Sequence, residues 1–335
     1  MTTMRAVMLT KQGGPEVLET VELPLPSPGP GEVRVKVLAT GVGSTDITMR
    51  RGTYPYAPKI PFVPGYESIG LVDAVGSGVT TFKEGDRVCA LLVHGGYATH
   101  VVRGAEHWVK VPEGLDDAEA VSLILNYVTA FQMIEREAKL QPGQWALVNA
   151  ANGGVGQALL GLLRARGVNV IGAASKSKHD LVRSYGAAPI EGRGVPLDVS
   201  VRALRPEGVD AAFDGVGGAQ TGQCVRSTRR GGITVWYGFV GATGLPALIR
   251  SAFSCFVGSR LTGRRGSFYG ITRLYRQNPQ PFREDLSKLF ELLAAKKIAP
   301  RIAERLALLD ARKANERLEA GNIEGKLVLV AEGPR

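Results

Sequence analysis

A glycine-rich segment after a short apolar run is the part of the chain whose residues most clearly suggest chemistry. The segment, Ala151-Asn-Gly-Gly-Val-Gly156, is a variant of the G-x-G-x-x-G pattern in which Ala151 replaces the first glycine. Gly153 would let the backbone approach a pyrophosphate closely, and Gly156 would let a helix pack tightly on the preceding strand. The free N–H groups at the start of that helix favour an anion. We therefore predict a dinucleotide site formed by Asn152, Gly153, Gly154, Val155 and Gly156.

The elements around this loop have the order that such a site requires. Residues 145–149 are a short apolar run typical of a buried parallel strand, and residues 157–166 have the pattern of an amphipathic helix. Residues 168–173 form a second apolar run. Strand, turn, helix and strand make the βαβ unit in which the glycine pattern binds a dinucleotide.

The residues after the second strand indicate which dinucleotide is bound. An NAD site usually places an Asp or Glu here, where it binds the ribose 2′-hydroxyl. Residues 174–179 are Ala-Ser-Lys-Ser-Lys-His and contain no acid. The hydroxyl of Ser175 and the charge of Lys178 suit a 2′-phosphate, although an ordinary basic helix start would have the same composition. We predict NADP(H) as the cofactor.

The rest of the chain indicates two domains. Many short strands separated by Gly and Pro turns precede residue 112, which is typical of a β-rich domain such as a partly open barrel. Strands then alternate with helices, as in a doubly wound parallel sheet. A closing strand at residues 326–330 needs a sheet to join, and the simplest solution is a return to the first domain. We predict a catalytic domain at 1–120 and 267–335 and a dinucleotide-binding domain at 121–266, with the active site in the cleft between them.

Composition narrows the possible partners. The 335 residues carry a formal net charge of +10, but the basic residues lack interleaved aromatics and a nucleic-acid motif, so nucleic acid is not the expected partner. No apolar run is long enough to span a bilayer, and we interpret residues 241–261 as a buried or interface element. We expect no secretory leader. The three scattered cysteines, Cys89, Cys224 and Cys255, are typical of a reducing cytoplasm.

Four further motifs identify a family. They are Gly41-Val-Gly-Ser-Thr-Asp46, Pro64-Gly-Tyr-Glu67, Asn126-Tyr-Val-Thr129 and the closing Gly325-Lys326. With the glycine loop, they make nearly the whole chain resemble the medium-chain dehydrogenase/reductase superfamily, specifically its zinc-independent quinone oxidoreductase branch with zeta-crystallin-like and vesicle amine transport-like members. The resemblance implies an α/β fold with a Rossmann domain and a GroES-like catalytic domain. It also implies a homodimer, paired through a sheet edge near residues 255–261.

The motifs depart from the zinc-dependent members of the superfamily. Those enzymes have a cysteine where this chain has Gly43 and a histidine where it has Tyr66, so only Glu67 remains of a possible ligand set. Catalytic zinc needs three protein ligands, and we expect no metal. Without a Lewis acid, acceptors that take hydride readily are favoured. The resemblance therefore implies an NADPH-dependent reductase of quinones or α,β-unsaturated carbonyls.

The resemblance also assigns roles in the catalytic domain. Tyr54 looks like the tyrosine that related enoyl-thioester reductases use as a donor, although a pocket-lining role is an alternative. Asp46 would order the catalytic loop, or make a purely structural hydrogen bond. Tyr54 and Tyr66 are expected to line the substrate pocket.

Further cofactor contacts follow from the same resemblance. Asn126 and Thr129 correspond to family contacts near the nicotinamide, with helix-face packing as the alternative for both. Gly238 and Phe239, at a strand end, should pass close to the cofactor, and Lys326 belongs to the closing motif. The family often has a tyrosine near Gly192, whose absence places more of the 2′-phosphate binding on Ser175 and Lys178.

Two other functions fit the same residues. One is an enoyl-thioester reductase, for which the basic residues after Leu261 could bind a long carrier arm. The other is a non-enzymatic NADPH-binding protein, either crystallin-like or RNA-binding, because this branch contains such members. Gly43 and the high positive charge are compatible with the second possibility.

Overall fold

A computed structural model describes residues 2–241 and 244–331 and divides the chain into two units. One unit comprises residues 126–274, and the other comprises residues up to 125 together with those from 275 onward. Each boundary lies a few residues after the one that the sequence suggests. The mixed α/β fold expected from the sequence is confirmed.

A parallel six-stranded sheet forms the centre of the 126–274 unit. Its strands are β8 (Trp145–Asn149), β9 (Asn169–Ala174), β10 (Ala188–Glu191), β11 (Val209–Asp214), β12 (Thr228–Trp236) and β13 (Arg265–Phe268). Their spatial order is β10-β9-β8-β11-β12-β13, and every neighbouring pair is parallel. This order is that of a Rossmann sheet, in which successive strands are added first on one side of β8 and then on the other.

Helices connect these strands. They are α3 (Gly154–Ala165), α4 (His179–Ser184), α5 (Leu197–Leu204), α6 (Ala219–Ser227) and α7 (residues 245–261, with a π-helical turn at Phe253–Gly258). Apolar side chains of β8, β9 and β11 pack against α5 and α6, and Leu147, Ile171 and Leu197 at this contact are almost fully inaccessible to solvent. The strands are apolar on both faces because helices cover both.

A largely antiparallel sheet, with one parallel pair of strands, dominates the other unit. Its strands are β3 (Glu32–Val42), β4 (Glu67–Val75), β5 (Arg87–Leu91), β6 (His100–Gly104), β7 (Val109–Lys110), β14 (Ile302–Ala307) and β15 (Lys326–Val330). The order is β14-β15-β3-β4-β5-β7, with β6 also paired to β3. The closing strand β15 lies antiparallel to β3, so the C-terminal segment completes the sheet begun by the N-terminal one. A separate hairpin pairs β1 (Thr3–Leu9) with β2 (Leu18–Pro24).

Five helical segments accompany this unit or lead from it. They are α1 (Ser44–Arg50), α2 (residues 117–138), α8 (Ile271–Gln277), α9 (Gln280–Ala294) and α10 (Ala311–Ala320). Asp116 caps α2, because its carboxylate accepts the backbone N–H groups of Ala118 and Glu119 at 3.0 Å each. Both α2 and α8 continue across a boundary between the units along the chain.

One detail differs from the sequence-based expectations. Residues 255–261, expected at a sheet edge, are helical, and the edge strand is the four-residue β13 instead. No helix among the described residues is both long enough and apolar enough to cross a membrane.

Candidate active site

The glycine loop joins the end of β8 to the start of α3, as the dinucleotide pattern requires. Gly156 permits this junction, since a Cβ there would collide with the carbonyl oxygen of Ala150. The N–H groups of the first helical turn have no acceptor within the helix, and the helix dipole adds partial positive charge at the same end. The backbone of residues 154–156 is therefore suited to a pyrophosphate.

Two polar side chains of α2 fit a ligand above this loop. The amide of Asn126 lies against the loop, because a Cβ on Gly154 would come within 2.7 Å of its Nδ2 atom. Thr129 is 5 % exposed, and its Oγ1 has no hydrogen-bond partner among the described residues. A buried hydroxyl without a partner costs free energy, so a bound ligand that supplies one fits this position. Both residues were predicted from the sequence to contact the cofactor.

A hydrogen-bond network that the sequence did not predict connects the ends of β8 and β11. Asn149 donates from Nδ2 to Oδ1 of Asp214 at 3.0 Å. The same Oδ1 atom accepts the backbone N–H groups of Val216 and Gly217, and Oδ2 accepts the hydroxyl of Thr221. Asp214 therefore holds the second glycine-rich loop, residues 214–218, against the end of β8, where the first loop begins. The Asp-Gly-Val-Gly-Gly sequence was the available signal, but only the fold places Asn149 beside it.

Ser175 and Lys178, which were predicted to bind the 2′-phosphate, follow the end of β9. Ser175 immediately follows β9 and is exposed, and its carbonyl accepts the backbone N–H of Lys178 at 2.8 Å. Gly192 donates its N–H to the carbonyl of Ala174 at 2.9 Å, so the position where the family often has a tyrosine adjoins the same strand end. The structure brings these residues together, and their binding role stays a prediction.

Gly238 and Phe239 follow β12 at the same edge of the parallel sheet. The N–H of Gly238 donates to the carbonyl of Asp214 at 3.3 Å, and its own carbonyl accepts the indole N–H of Trp236 at 2.6 Å. Phe239 is 45 % exposed although its ring packs edge-on against Trp236, at a centroid distance of 5.0 Å. An exposed aromatic ring at a strand end is available for contact with a ligand.

The other unit brings the two candidate tyrosines into direct contact. The hydroxyl oxygens of Tyr54 and Tyr66 are 2.7 Å apart, and the rings meet edge to face with centroids 6.0 Å apart. Tyr66 is 1 % exposed, and its backbone carbonyl accepts the N–H groups of Leu92 and Val93. Tyr54 is only partly buried. A rigidly held phenol therefore hydrogen-bonds to a more accessible one.

Lys326 forms a buried ion pair in this unit. Its Nζ lies 2.6 Å from Oε1 of Glu67, and the other carboxylate oxygen of Glu67 accepts the backbone N–H of Leu125 at 2.7 Å. Glu67 has no exposure and Lys326 only 7 %. The predicted cofactor contact of Lys326 stays a prediction, whereas the ion pair gives this residue a structural role that sequence reasoning missed.

Asp46 lies near the same pair at the start of α1. Its Oδ2 accepts the backbone N–H of Gly43 at 2.9 Å, which orders the first turn of the helix. Burial raises the pKa of Asp46 to about 6, an effect that the Gly43 N–H and the charge of Lys326 oppose. The hydrogen bond from Gly43 fits both the loop-ordering role and a purely structural one, so the role of Asp46 stays a prediction.

Positions 43 and 66, where zinc-dependent members of the superfamily have metal ligands, carry residues that do not suit a metal. Gly43 has no side chain, and the hydroxyl of Tyr66 is engaged with Tyr54. The part of the chain that the structure describes contains no cluster of three or more His, Cys, Asp or Glu side chains able to hold a metal ion. Zinc therefore has no ligand set at this place in the described residues.

Two protein-family models match the chain. A model of the alcohol dehydrogenase GroES-like domain matches residues 29–113, and a model described as zinc-binding dehydrogenase matches residues 185–329. The second description names a family whose members include metal enzymes, and the residues at positions 43 and 66 place this chain outside that subset.

Several known proteins are similar to this chain in sequence or in structure. The human synaptic vesicle membrane protein VAT-1 homolog-like is 30 % identical over 98 % of this chain and 81 % of its own length. A quinone oxidoreductase of Rattus norvegicus is 38 % identical over 55 % of this chain and 57 % of its own. A mycobacterial protein solved in complex with NADPH superimposes with a TM-score of 0.86 and 30 % identity, covering 98 % of this chain and 99 % of that one.

A GroES-like domain together with a Rossmann sheet and its glycine loop defines a two-domain oxidoreductase. The chain belongs to the medium-chain dehydrogenase/reductase superfamily, in its zinc-independent, quinone oxidoreductase-like branch.

Proposed function

We propose that the protein is an NADPH-dependent, metal-free reductase that transfers hydride to quinones or α,β-unsaturated carbonyls. The observation that carries the proposal is the acid-free end of β9, where Ser175 and Lys178 follow a strand that leads from the glycine loop. The NADPH complex of the mycobacterial relative supports the same cofactor.

The residues of the parallel-sheet unit would hold the dinucleotide along its length. The backbone of the loop residues 152–156 would bind the pyrophosphate, and Ser175 and Lys178 would bind the 2′-phosphate. Asn126 and Thr129 would position the nicotinamide ring, with Gly238 and Phe239 limiting its other side. NADPH supplies the hydride from C4 of that ring. All other contributions to the reaction come from the protein as orientation and hydrogen bonding.

Tyr54 would donate a hydrogen bond to the acceptor oxygen that gains negative charge. Tyr66 strengthens this role when its own hydroxyl proton points towards Tyr54, because the Tyr54 proton is then directed elsewhere and its oxygen is stabilised as charge develops. For a quinone, Tyr54 assists protonation of the reduced oxygen. For an enone, it stabilises the enolate that follows hydride addition at the β-carbon.

An acceptor panel tests this proposal. NADPH oxidation would be followed by absorbance with one ortho-quinone, one para-quinone, one alkenal, one cyclic enone and one enoyl thioester. We expect turnover with a quinone or with an enone, and the better acceptor identifies the substrate class. Turnover of the enoyl thioester alone would replace this proposal with the carrier-arm enzyme. NADPH binding without any turnover would favour a non-enzymatic role.

We also propose that the protein is a homodimer, formed at the β13 edge of the parallel sheet. One edge of β13 pairs with β12, and no strand among the described residues pairs with the other. Helix α7 adjoins β13, because the thiol of Cys255 donates to the carbonyl of Ser267 at 3.4 Å. This helix carries a regular stripe of apolar side chains that are 43–78 % exposed: Leu245, Ile249, Phe253, Val257 and Leu261.

A second copy is the occupant that both features fit. Antiparallel pairing of two β13 strands would give hydrogen-bond partners to the unpaired backbone groups of each edge. It would also bring the apolar stripes of the two α7 helices together. We expect light scattering to give twice the chain mass of 35.6 kDa for the wild type, and a monomer for Phe253→Glu. Val199→Glu, which also adds a charge at an exposed apolar position, should remain dimeric. A monomeric wild type would contradict this assignment.

The cysteines support the cytoplasm as the compartment of this reductase. Cys89, Cys224 and Cys255 are all buried as free thiols. Burial raises the pKa of each, which keeps them as unreactive thiols.

A further inference from the structure

A further aromatic ring, that of Tyr56, lies beside the ring of Tyr54. The rings of Tyr54 and Tyr56 meet edge to face, with centroids 5.8 Å apart. Both side chains are only partly buried, in contrast to Tyr66 behind them. The proposed donor therefore has partly accessible aromatic rings beside it, and a ring ligand can pack against such rings edge to face or offset-stacked.

A positively charged side chain closes one side of this aromatic surface. The guanidinium carbon of Arg276, near the end of α8, lies 5.1 Å from the ring centroid of Tyr56. Arg276 is exposed and pairs with no carboxylate among the described residues. A guanidinium over a ring gains cation–π energy while its in-plane N–H groups stay available, so it can bind a carboxylate with two hydrogen bonds.

The surroundings of Arg276 are positive as well. His94 is half-buried, and its pKa is lowered first by burial and then by the charges of Arg103 and Arg276. Arg103 donates to the carbonyl of His94 at 2.8 Å, which fixes a second guanidinium in this region. The imidazole of His94 adds no negative charge beside these two cations, and the carboxylate that acts electrostatically on Arg103 is that of Glu32. An anion would gain favourable electrostatic interaction here.

We propose that Tyr54, Tyr56 and Arg276 form a subsite for a flat ring acceptor that carries an anionic substituent. The aromatic side chains contact the ring, and the Arg276 guanidinium binds its carboxylate, sulfonate or phosphate. This inference rests on the proposed reductase function and narrows its substrate class. It makes Arg276 a specificity-determining residue that orients the acceptor relative to the Tyr54 hydroxyl.

Binding of two matched ligands that cannot be reduced tests the subsite apart from turnover. The full-length protein, saturated with NADP⁺, would be titrated calorimetrically with 2-naphthoate and with its neutral isostere 2-naphthamide. We expect the wild type to bind 2-naphthoate about tenfold more tightly or better, as a charge-assisted hydrogen bond supplies. Arg276→Gln should bind both ligands equally. Arg312→Gln removes an exposed arginine of α10 that pairs with Glu316, and should keep the wild-type ratio.

Each other outcome overturns the subsite. Equal affinities in the wild type, no binding of either ligand, or an unchanged ratio in Arg276→Gln would each do so. Coenzyme A serves as a third ligand, because its phosphates are a different source of negative charge. If Arg276→Gln weakened coenzyme A binding but not 2-naphthoate binding, the anion would belong to a carrier arm instead of the ring. If the wild type oxidised NADPH with no acceptor of the panel but still showed this binding ratio, the reductase proposal would be refuted and the subsite would not.

Discussion

Replacement of Lys326 by methionine is expected to lower the free energy of unfolding by about 3–5 kcal/mol, the usual cost of leaving a buried charge without its partner. The carboxylate of Glu67 has no exposure and would keep the N–H of Leu125 while losing its cation. The same change would remove a charge that lowers the pKa of the nearby Asp46. Urea denaturation followed by circular dichroism measures the difference.

A matched surface variant separates burial from the simple loss of a lysine. Lys110 also forms an ion pair, with Asp86 at 3.0 Å, but 61 % of its side chain is exposed. Lys110→Met should therefore cost less than about 1 kcal/mol. If Lys326→Met fails to fold, the double variant with Glu67→Gln should recover part of the stability, because no uncompensated charge remains. A loss below about 1 kcal/mol for Lys326→Met would contradict the structural role of the pair.

Replacement of Tyr54 by phenylalanine is expected to lower kcat/KM for the best acceptor about 100-fold, the usual effect of removing one donor to a developing oxyanion. The ring stays in place, so the affinity for NADPH and the unfolding temperature should not change. Tyr66→Phe should have a smaller effect, of about tenfold, since it removes the hydrogen bond to Tyr54 and leaves the donor itself. Steady-state kinetics with NADPH held saturating gives both values.

A tyrosine elsewhere provides the control for this experiment. The hydroxyl of Tyr185 makes a long hydrogen bond of 3.4 Å to Gln157, and Tyr185→Phe should leave turnover within twofold of the wild type. If Tyr54→Phe also retained wild-type turnover, Tyr54 would be a pocket-lining residue only. In that case the proton would come from solvent.

Local sequence patterns predicted much of the fold. Strand β15 has the bounds that the sequence suggests, and the βαβ unit around the glycine loop is confirmed. These elements have strong local signals, such as a glycine-rich turn or an amphipathic repeat. The motifs also correctly identified the family.

Features that depend on tertiary contacts could not be predicted in the same way. The Glu67–Lys326 pair joins residues far apart in sequence, and the 2.7 Å contact between Tyr54 and Tyr66 depends on how an irregular loop folds back. Residues 241–261 were interpreted as a buried or interface element, and the sequence could not separate these two alternatives, because an exposed apolar stripe and a buried one have the same periodicity. Strand β13 has four residues, too few for a clear alternating pattern.

The cofactor preference of the wild-type protein tests the central claim most directly. Initial rates with one good acceptor would be measured against NADPH and NADH, each with and without a metal chelator. We predict a kcat/KM for NADPH about 100-fold above that for NADH, as two charge-assisted contacts to the 2′-phosphate would give, and no effect of the chelator. A preference for NADH, inactivation by the chelator, or tight NADPH binding without oxidation by any acceptor would contradict it.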